Sequence, residues 1–267
     1  LDCVYNDVAE QLGEDEDAVC TWLAARAILT PRNMDADVLN ERVLDRINGD
    51  TVDCFSADRV VDDGSSDNAV PEENLNSLNP PRCPPHRLRL KPRCVLILLR
   101  NLNPSAGLCN GTRLMFRQAI SYGDQRLQAL ECVILNGSHS GNVVFLPRIR
   151  LDINERLIAH DWTRCQFPVR LAFVLTINKS QGQSFEFVGV YLPNPVFQHG
   201  QLYVAASRVG NPAHLRFAID PNDDGEFRTR NIVFREALTS AAAECLTPVA
   251  APRASPPEPD ALTPEHP

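Results

Sequence analysis

Apolar and polar positions change rhythm several times along this chain. From residue 14 to 28, acids alternate with Ala18, Trp22, Leu23 and Ile28 at roughly helical spacing. The acids gather at the N-terminal end, where a helix dipole favours them. Ala27 to Pro31 then reads as a short buried strand stopped by its proline. Asn33 and Asp35 are candidate caps for a helix turning Val38, Leu39, Val43, Leu44 and Ile47 inward and closed by Gly49. Residues 51–55 offer another short strand, and strand, helix, strand predicts a parallel α/β unit.

Residues 56–85 change character. The run Asp62-Asp63-Gly64-Ser65-Ser66-Asp67 and the prolines at 80, 81, 84 and 85 predict loop. Strand-like runs follow at Cys94–Leu99, Arg113–Phe116, Ala129–Leu135 and Asn142–Leu146, punctuated by glycines. Short strands at this spacing predict a small β-barrel or a β-rich insert. The apolar run Leu171–Leu175 then leads straight into the polar turn Thr176–Gly182, and Phe187–Leu192 predicts a second strand. A buried parallel strand delivers donors to a phosphate-binding edge in this way. A short helix with an apolar face of Leu202, Tyr203 and Ala206 ends in Arg208. Beyond about residue 238 the chain is rich in Ala, Pro and Glu, which predicts disorder. The first and last α/β pieces each hold too few strands to stand alone, so they are expected to share one sheet, with the β-rich part inserted between them.

Charge sharpens this division. The net charge of −8 hides nineteen acids and five bases in residues 1–73, followed by a fifty-residue stretch from Asn74 to Gly123 with eight bases and no acid. Such a stretch is a candidate polyanion surface, the alternative being a solvated basic face without a ligand. Nine dispersed cysteines without a Cys-x-x-Cys pair read as reduced intracellular thiols rather than as metal ligands. No run of eighteen apolar residues predicts a membrane span. Leu1-Asp2-Cys3-Val4-Tyr5 reads as the middle of a longer chain. Only Lys91 and Lys179 are lysines, and neither follows a glycine. A Walker A loop needs Gly-Lys-Ser/Thr, so these residues do not bind and hydrolyse ATP by that route alone.

Two places carry candidate chemistry. The hydroxyls of Thr176 and Ser180, the Gln181 amide, the Lys179 ammonium and Gly182 fall together at a strand end, where they can donate to phosphate oxygens. Without a second motif, a polar loop capping a helix is the better explanation. Arg208 can project across a cleft to a γ-phosphate, or complement the C-terminus of its own helix.

The stretch Phe167–Phe173 through Thr176–Gly182, then His199–Arg208, resembles the fifth and sixth motifs of the petite integration frequency (Pif) helicases. These are superfamily 1B, 5′-to-3′ DNA helicases, and the chain looks most like members carried by Helitron transposons. Ile28–Asn33, Pro85–Leu88, Leu98–Leu102, Gly107–Arg113 and Pro147–Ile149 agree in order, so the resemblance covers about residues 1–220. It implies an α/β fold: a second RecA-like motor domain with a parallel sheet, in two parts (1–73 and 151–237). A basic, DNA-contacting β-rich, barrel-like domain (74–150) is inserted between them, and a disordered tail (238–267) follows.

The resemblance also implies roles. Thr30 and Asn33 contact phosphates of single-stranded DNA; Thr176, Lys179, Ser180, Arg87, Arg89, Arg93 and Arg100 add DNA contacts. Gln181 and Gly182 couple DNA grip to nucleotide state, and Arg208 is an arginine finger. ATP and Mg²⁺ enter only through an N-terminal RecA-like ATPase domain that these residues do not include; Gly123-Asp124-Gln125 mimics part of a family motif at the wrong place. Ala206 stands where the family usually has leucine. The implied partners are that domain and single-stranded DNA, without a membrane, and the implied location is the nucleus. The chain is expected to be inactive alone, with a non-enzymatic DNA-binding remnant of a Helitron helicase as the alternative.

Overall fold

The computed structural model describes residues 1–6, 8–13, 15–61, 71–80, 82–121, 127–153, 161–221 and 225–234. Gly123-Asp124-Gln125, the acidic run 62–67 and the tail beyond 238 lie outside them. Three short helices, α1 (Asp2–Tyr5), α2 (Val8–Gln11) and α3 (Glu16–Ala24), precede β1 (Arg26–Thr30) and α4 (Asn33–Asp45). Then come β2 (Val52–Phe55), β3 (Ala57–Val60), α5 (Glu72–Ser77), β4 (Arg87–Leu90), β5 (Val95–Leu98), β6 (Arg113–Ser121), β7 (Leu127–Ile134), β8 (Val143–Pro147), β9 (Ile149–Ile153) and β10 (Trp162–Gln166). The chain continues through β11 (Val169–Leu171), β12 (Val174–Thr176), β13 (Phe187–Leu192), α6 (Gln201–Ala206) and β14 (Leu215–Ile219).

The first and last pieces do share a sheet. β12, β1, β13 and β14 form one parallel sheet in that order, with Thr30 in register with Thr176. β1 is buried from Ala27 to Thr30 because α4 covers one face and α1 the other; strands covered on both faces need continuous apolar runs. Gly189 of β13 is part of that covering: a Cβ there would sit 2.7 Å from Cγ2 of Val4, so only glycine lets α1 lie this close.

Between the two pieces the chain builds antiparallel sheets: β11-β5-β6-β7-β8, β3-β10-β9 and β2-β4. The run read as one strand, Leu171 to Leu175, is divided between two sheets. β11 pairs antiparallel with β5, whereas β12 pairs parallel with β1. Buried Ala172 and Phe173 carry the chain across, and the Asn40 side chain bonds both the N–H and the C=O of Val174 at 2.9 Å, standing in for a neighbouring strand.

Several expectations are corrected. The 51–55 strand is not parallel to β1; it pairs antiparallel with β4. Residues 56–85 hold β3 and α5 as well as loop. Ile28 belongs to β1 rather than to the α3 face. Val38 is 53% exposed, and the buried face of α4 is Ala36, Leu39, Asn40, Val43 and Leu44. Neither Asn33 nor Asp35 caps that helix: Arg32 holds the N-cap position without a side-chain bond. In α6 the buried residues are Gln201 and Ala205, with Tyr203 75% exposed.

One large core joins the parallel sheet to the five-stranded sheet. Buried Arg113 of β6 reaches the carbonyls of Leu23, Ala24 and Arg26 and so ties the end of α3 to that sheet. A second, small core gathers Leu75, Cys83, Leu151, Ile153 and Trp162. Beside it Arg164 and Asp58, both fully buried, meet at 2.6 Å. Arg164 also donates to the carbonyls of Pro84 and Leu75, and Trp162 lies under its guanidinium. Leu1–Ile232, which contain every one of these elements, form one compact unit. Among the described residues no helix is long and apolar enough to cross a membrane.

Candidate functional site

β12 ends at Thr176, and a 3-10 turn, Ile177–Ser180, follows at once. Ser180 is buried and its hydroxyl donates to the Ile177 carbonyl at 2.7 Å, which holds the turn closed rather than leaving the hydroxyl for a ligand. Gly182 takes the left-handed conformation (φ +77°) that reverses the chain, and Gln181 beside it is exposed. The turn separates two clefts. The larger, about 710 Å³, lies between α4, β4 and the turn, and brings together Asn33, Thr176, Lys179, Arg87 and Arg89. The other, about 490 Å³, takes in Lys179, Gln181 and Gly182 against the loops around Asn110 and His139.

Lys179 therefore faces both clefts. It is half-buried, and its ammonium has no hydrogen-bond or ion-pair partner among the described residues. Burial lowers its pKa; nearby Arg170 adds to that effect and Asp37 opposes it. A buried cation short of counter-charge is a strong attractor for an anion. Thr30, the strand neighbour of Thr176, is fully buried and its Oγ1 has no partner.

The eight-base stretch, in contrast, is largely spoken for. Arg87 holds Asp53 through two nitrogens at 3.1 and 2.9 Å, and Arg89 holds Glu41 at 2.7 Å and Asp45 at 3.1 Å. Burial raises the Glu41 pKa against the pull of Arg89. Arg117 meets Glu16 and Glu131, Lys91 donates to the Ile47 carbonyl, and Arg113 is buried in the core. Arg93, with φ +69°, donates to the Leu12 carbonyl and lines a separate cleft with Glu16 and Arg117. Of the eight, only Arg82 and Arg100 have side chains with no hydrogen-bond or ion-pair partner, side chain or backbone, among the described residues, and Arg82 lines the larger cleft. The open polyanion surface expected from charge alone is thus reduced: acids of the first segment pair with Arg87, Arg89 and Arg117, and backbone carbonyls hold Lys91, Arg93 and Arg113.

Arg208 lies two residues past α6. Its Nε donates to the Val204 carbonyl at 2.9 Å, one Nη to the Gln183 carbonyl at 3.1 Å and the other to Ser207 Oγ at 2.9 Å. The guanidinium has five N–H groups, so two remain for a ligand.

Comparison with known proteins adds a family to this geometry. The family model described as DNA helicase Pif1, 2B domain, matches residues 73–118. The ATP-dependent DNA helicase PIF6 of Trypanosoma brucei brucei is 30% identical over 139 residues, 51% of this chain and 17% of that protein. The ATP-dependent DNA helicase PIF1 of Xenopus laevis is 27% identical over 195 residues, 68% and 26% of the two chains. The crystal structure of Pif1 helicase from Candida albicans superposes with a TM-score of 0.58 at 20% identity, over 91% of this chain and 57% of that one. The chain is similar to Pif1 helicases in sequence and in fold. Its matched part spans about a quarter or less of these curated relatives' lengths.

Sequence reasoning missed Arg170 and Asn40. Arg170 donates through Nε to the Cys83 carbonyl at 2.8 Å and turns an Nη toward Asp37 in the larger cleft. One signal for it exists: it is the single charge in the run Phe167–Leu175, and a charge held in such a run needs a reason. Asn40 carries no comparable signal, because its partner is backbone 134 residues away.

Proposed function

We propose that this chain supplies the second motor domain of a Pif1-type, ATP-dependent 5′-to-3′ DNA helicase. It grips single-stranded DNA in the larger cleft and presents Arg208 to ATP and Mg²⁺ held by an N-terminal ATP-binding domain. The unpaired Lys179 between two clefts carries this reading, since it lets one turn sense a backbone phosphate on one side and a nucleotide on the other. Asn33 and Thr176 donate beside it, while Gln181 and Gly182 face the second cleft. A solved structure of Pif1 helicase from Bacteroides holds ADP-AlF3 and single-stranded DNA; it resembles this fold with a TM-score of 0.60 at 16% identity, which supports the reading at the level of fold. The two N–H groups left on Arg208 suit a γ-phosphate, and ATP supplies the hydrolysis energy when bound.

The test joins the chain to an ATP-binding first motor domain and measures DNA-stimulated ATPase. Arg208→Ala is expected to lower the rate by about a thousandfold. A rate within about twofold of the parent rules out the finger role. A second reading, a DNA-binding remnant without catalysis, is favoured by the three bonds Arg208 makes at home. It predicts salt-sensitive binding of oligo-dT by the chain with no ATPase in the joined protein.

A further inference from the structure

Among the ion pairs of the described residues, Arg170–Asp37 is the longest, at 3.3 Å. Its geometry is lopsided. The Arg170 side chain is only 16% exposed and is anchored by its Nε on the Cys83 carbonyl, whereas Asp37 is 57% exposed on the outer face of α4. One partner is fixed and the other is free to swing into water. The other ion pairs among the described residues span 2.6–3.1 Å, and none of them sets so buried an arginine, 16% exposed, against so exposed an acid, 57%. Lys179 shares the cleft with Arg170, close enough for Arg170 to disfavour the Lys179 charge. Two cations converge there on one weakly held carboxylate.

We propose that Asp37 is a displaceable stand-in for a phosphate: a backbone phosphate of single-stranded DNA replaces it on Arg170 and is shared with Lys179. This rests on the DNA-binding reading above and adds a binding residue and an internal competitor to it. The fork of Arg170, aimed by Cys83, suits the two oxygens of a phosphate, while Asp37 keeps two adjacent cations tolerable in the free protein. No covalent bond is made or broken; the Arg170–Asp37 contact is exchanged for one to phosphate, and the carboxylate returns to water.

The experiment measures oligo-dT binding by the full chain at low salt for the parent, Asp37→Asn, Arg170→Gln, the double variant and Lys179→Ala. Removing the competitor is expected to tighten binding at least about threefold in Asp37→Asn. Arg170→Gln is expected to weaken binding and to flatten the salt dependence by about 0.7 of a log–log slope unit, one phosphate's share for single strands. In the Arg170→Gln background the effect of Asp37→Asn is expected to vanish. If that effect persists undiminished, Asp37 acts only by general repulsion and the proposal is overturned. Should Arg170→Gln fail to fold, Asp37→Asn still decides: it leaves the Cys83 anchor intact, and tightening below about threefold overturns the proposal. If the parent binds, Lys179→Ala weakens it and Asp37 and Arg170 do not couple, the gate alone falls. Absence of binding by every variant, Asp37→Asn included, removes the gate and the DNA-binding reading together.

Discussion

The charge of Lys179 is costly to the fold. Burial comes first, then Arg170, and together they lower its pKa below the ordinary 10.5. The sign of the consequence is fixed. Below the lowered pKa the fold carries an unwelcome cation; as pH rises past it, that cost disappears and stability increases, because the unfolded chain then holds more protons. A bound phosphate reverses the shift, so DNA affinity is expected to fall as pH climbs through the alkaline window below 10.5. Titrating oligo-dT affinity against pH checks this, and Lys179→Arg, always charged, is expected to flatten the profile. Buried thiols form a second residue-scale case. Burial pushes Cys54 up to about 11 and Cys94 up to about 12, and raises Cys132 as well. In the native protein a thiol reagent near neutral pH is expected to label exposed Cys3 and to reach Cys54, Cys94 and Cys132 only after denaturant.

At the scale of elements, the buried Arg164–Asp58 pair joins β10 to β3 and holds the carbonyls of Leu75 and Pro84, so it fixes α5 and the approach to β4. Asp58→Asn leaves the guanidinium buried without a counter-charge and is expected to cost about 3–5 kcal/mol, read from urea denaturation. Little of this was legible in the sequence. β3 finds β10 more than a hundred residues later, and its Ala-Asp-Arg-Val pattern carries no apolar alternation to announce a strand. β5 and β13 were legible because continuous or near-continuous apolar runs mark strands buried on both faces. The α4 face was read partly wrongly, because Asn40 occupies an inward position that a purely apolar pattern cannot claim. In the site, the turn from Thr176 to Gly182 was legible as a motif, whereas the pairing of Arg87 and Arg89 with acids 34 and 48 residues earlier was not, since distant ion pairs leave no local trace.

Across the whole molecule, the acidic first segment and the basic stretch after it answer each other. Asp53, Glu41, Asp45 and Glu16 take Arg87, Arg89 and Arg117, so part of the asymmetry in sequence is cancelled in space. What remains positive in or near the larger cleft is Lys179, Arg170 and Arg82, with Arg100 also unpaired among the described residues. The salt dependence of binding distinguishes these two pictures. Eight bases all engaged on single-stranded DNA give a log–log slope of about −5 to −6, whereas three or four give about −2 to −3. The expected result for oligo-dT between about 50 and 200 mM salt is the shallower slope. A slope near the steeper value means that Arg87 and Arg89 leave their carboxylates on binding; neutralising Asp53 and Glu41 then tightens binding, whereas closed pairs leave those acids no part in it beyond their general repulsion.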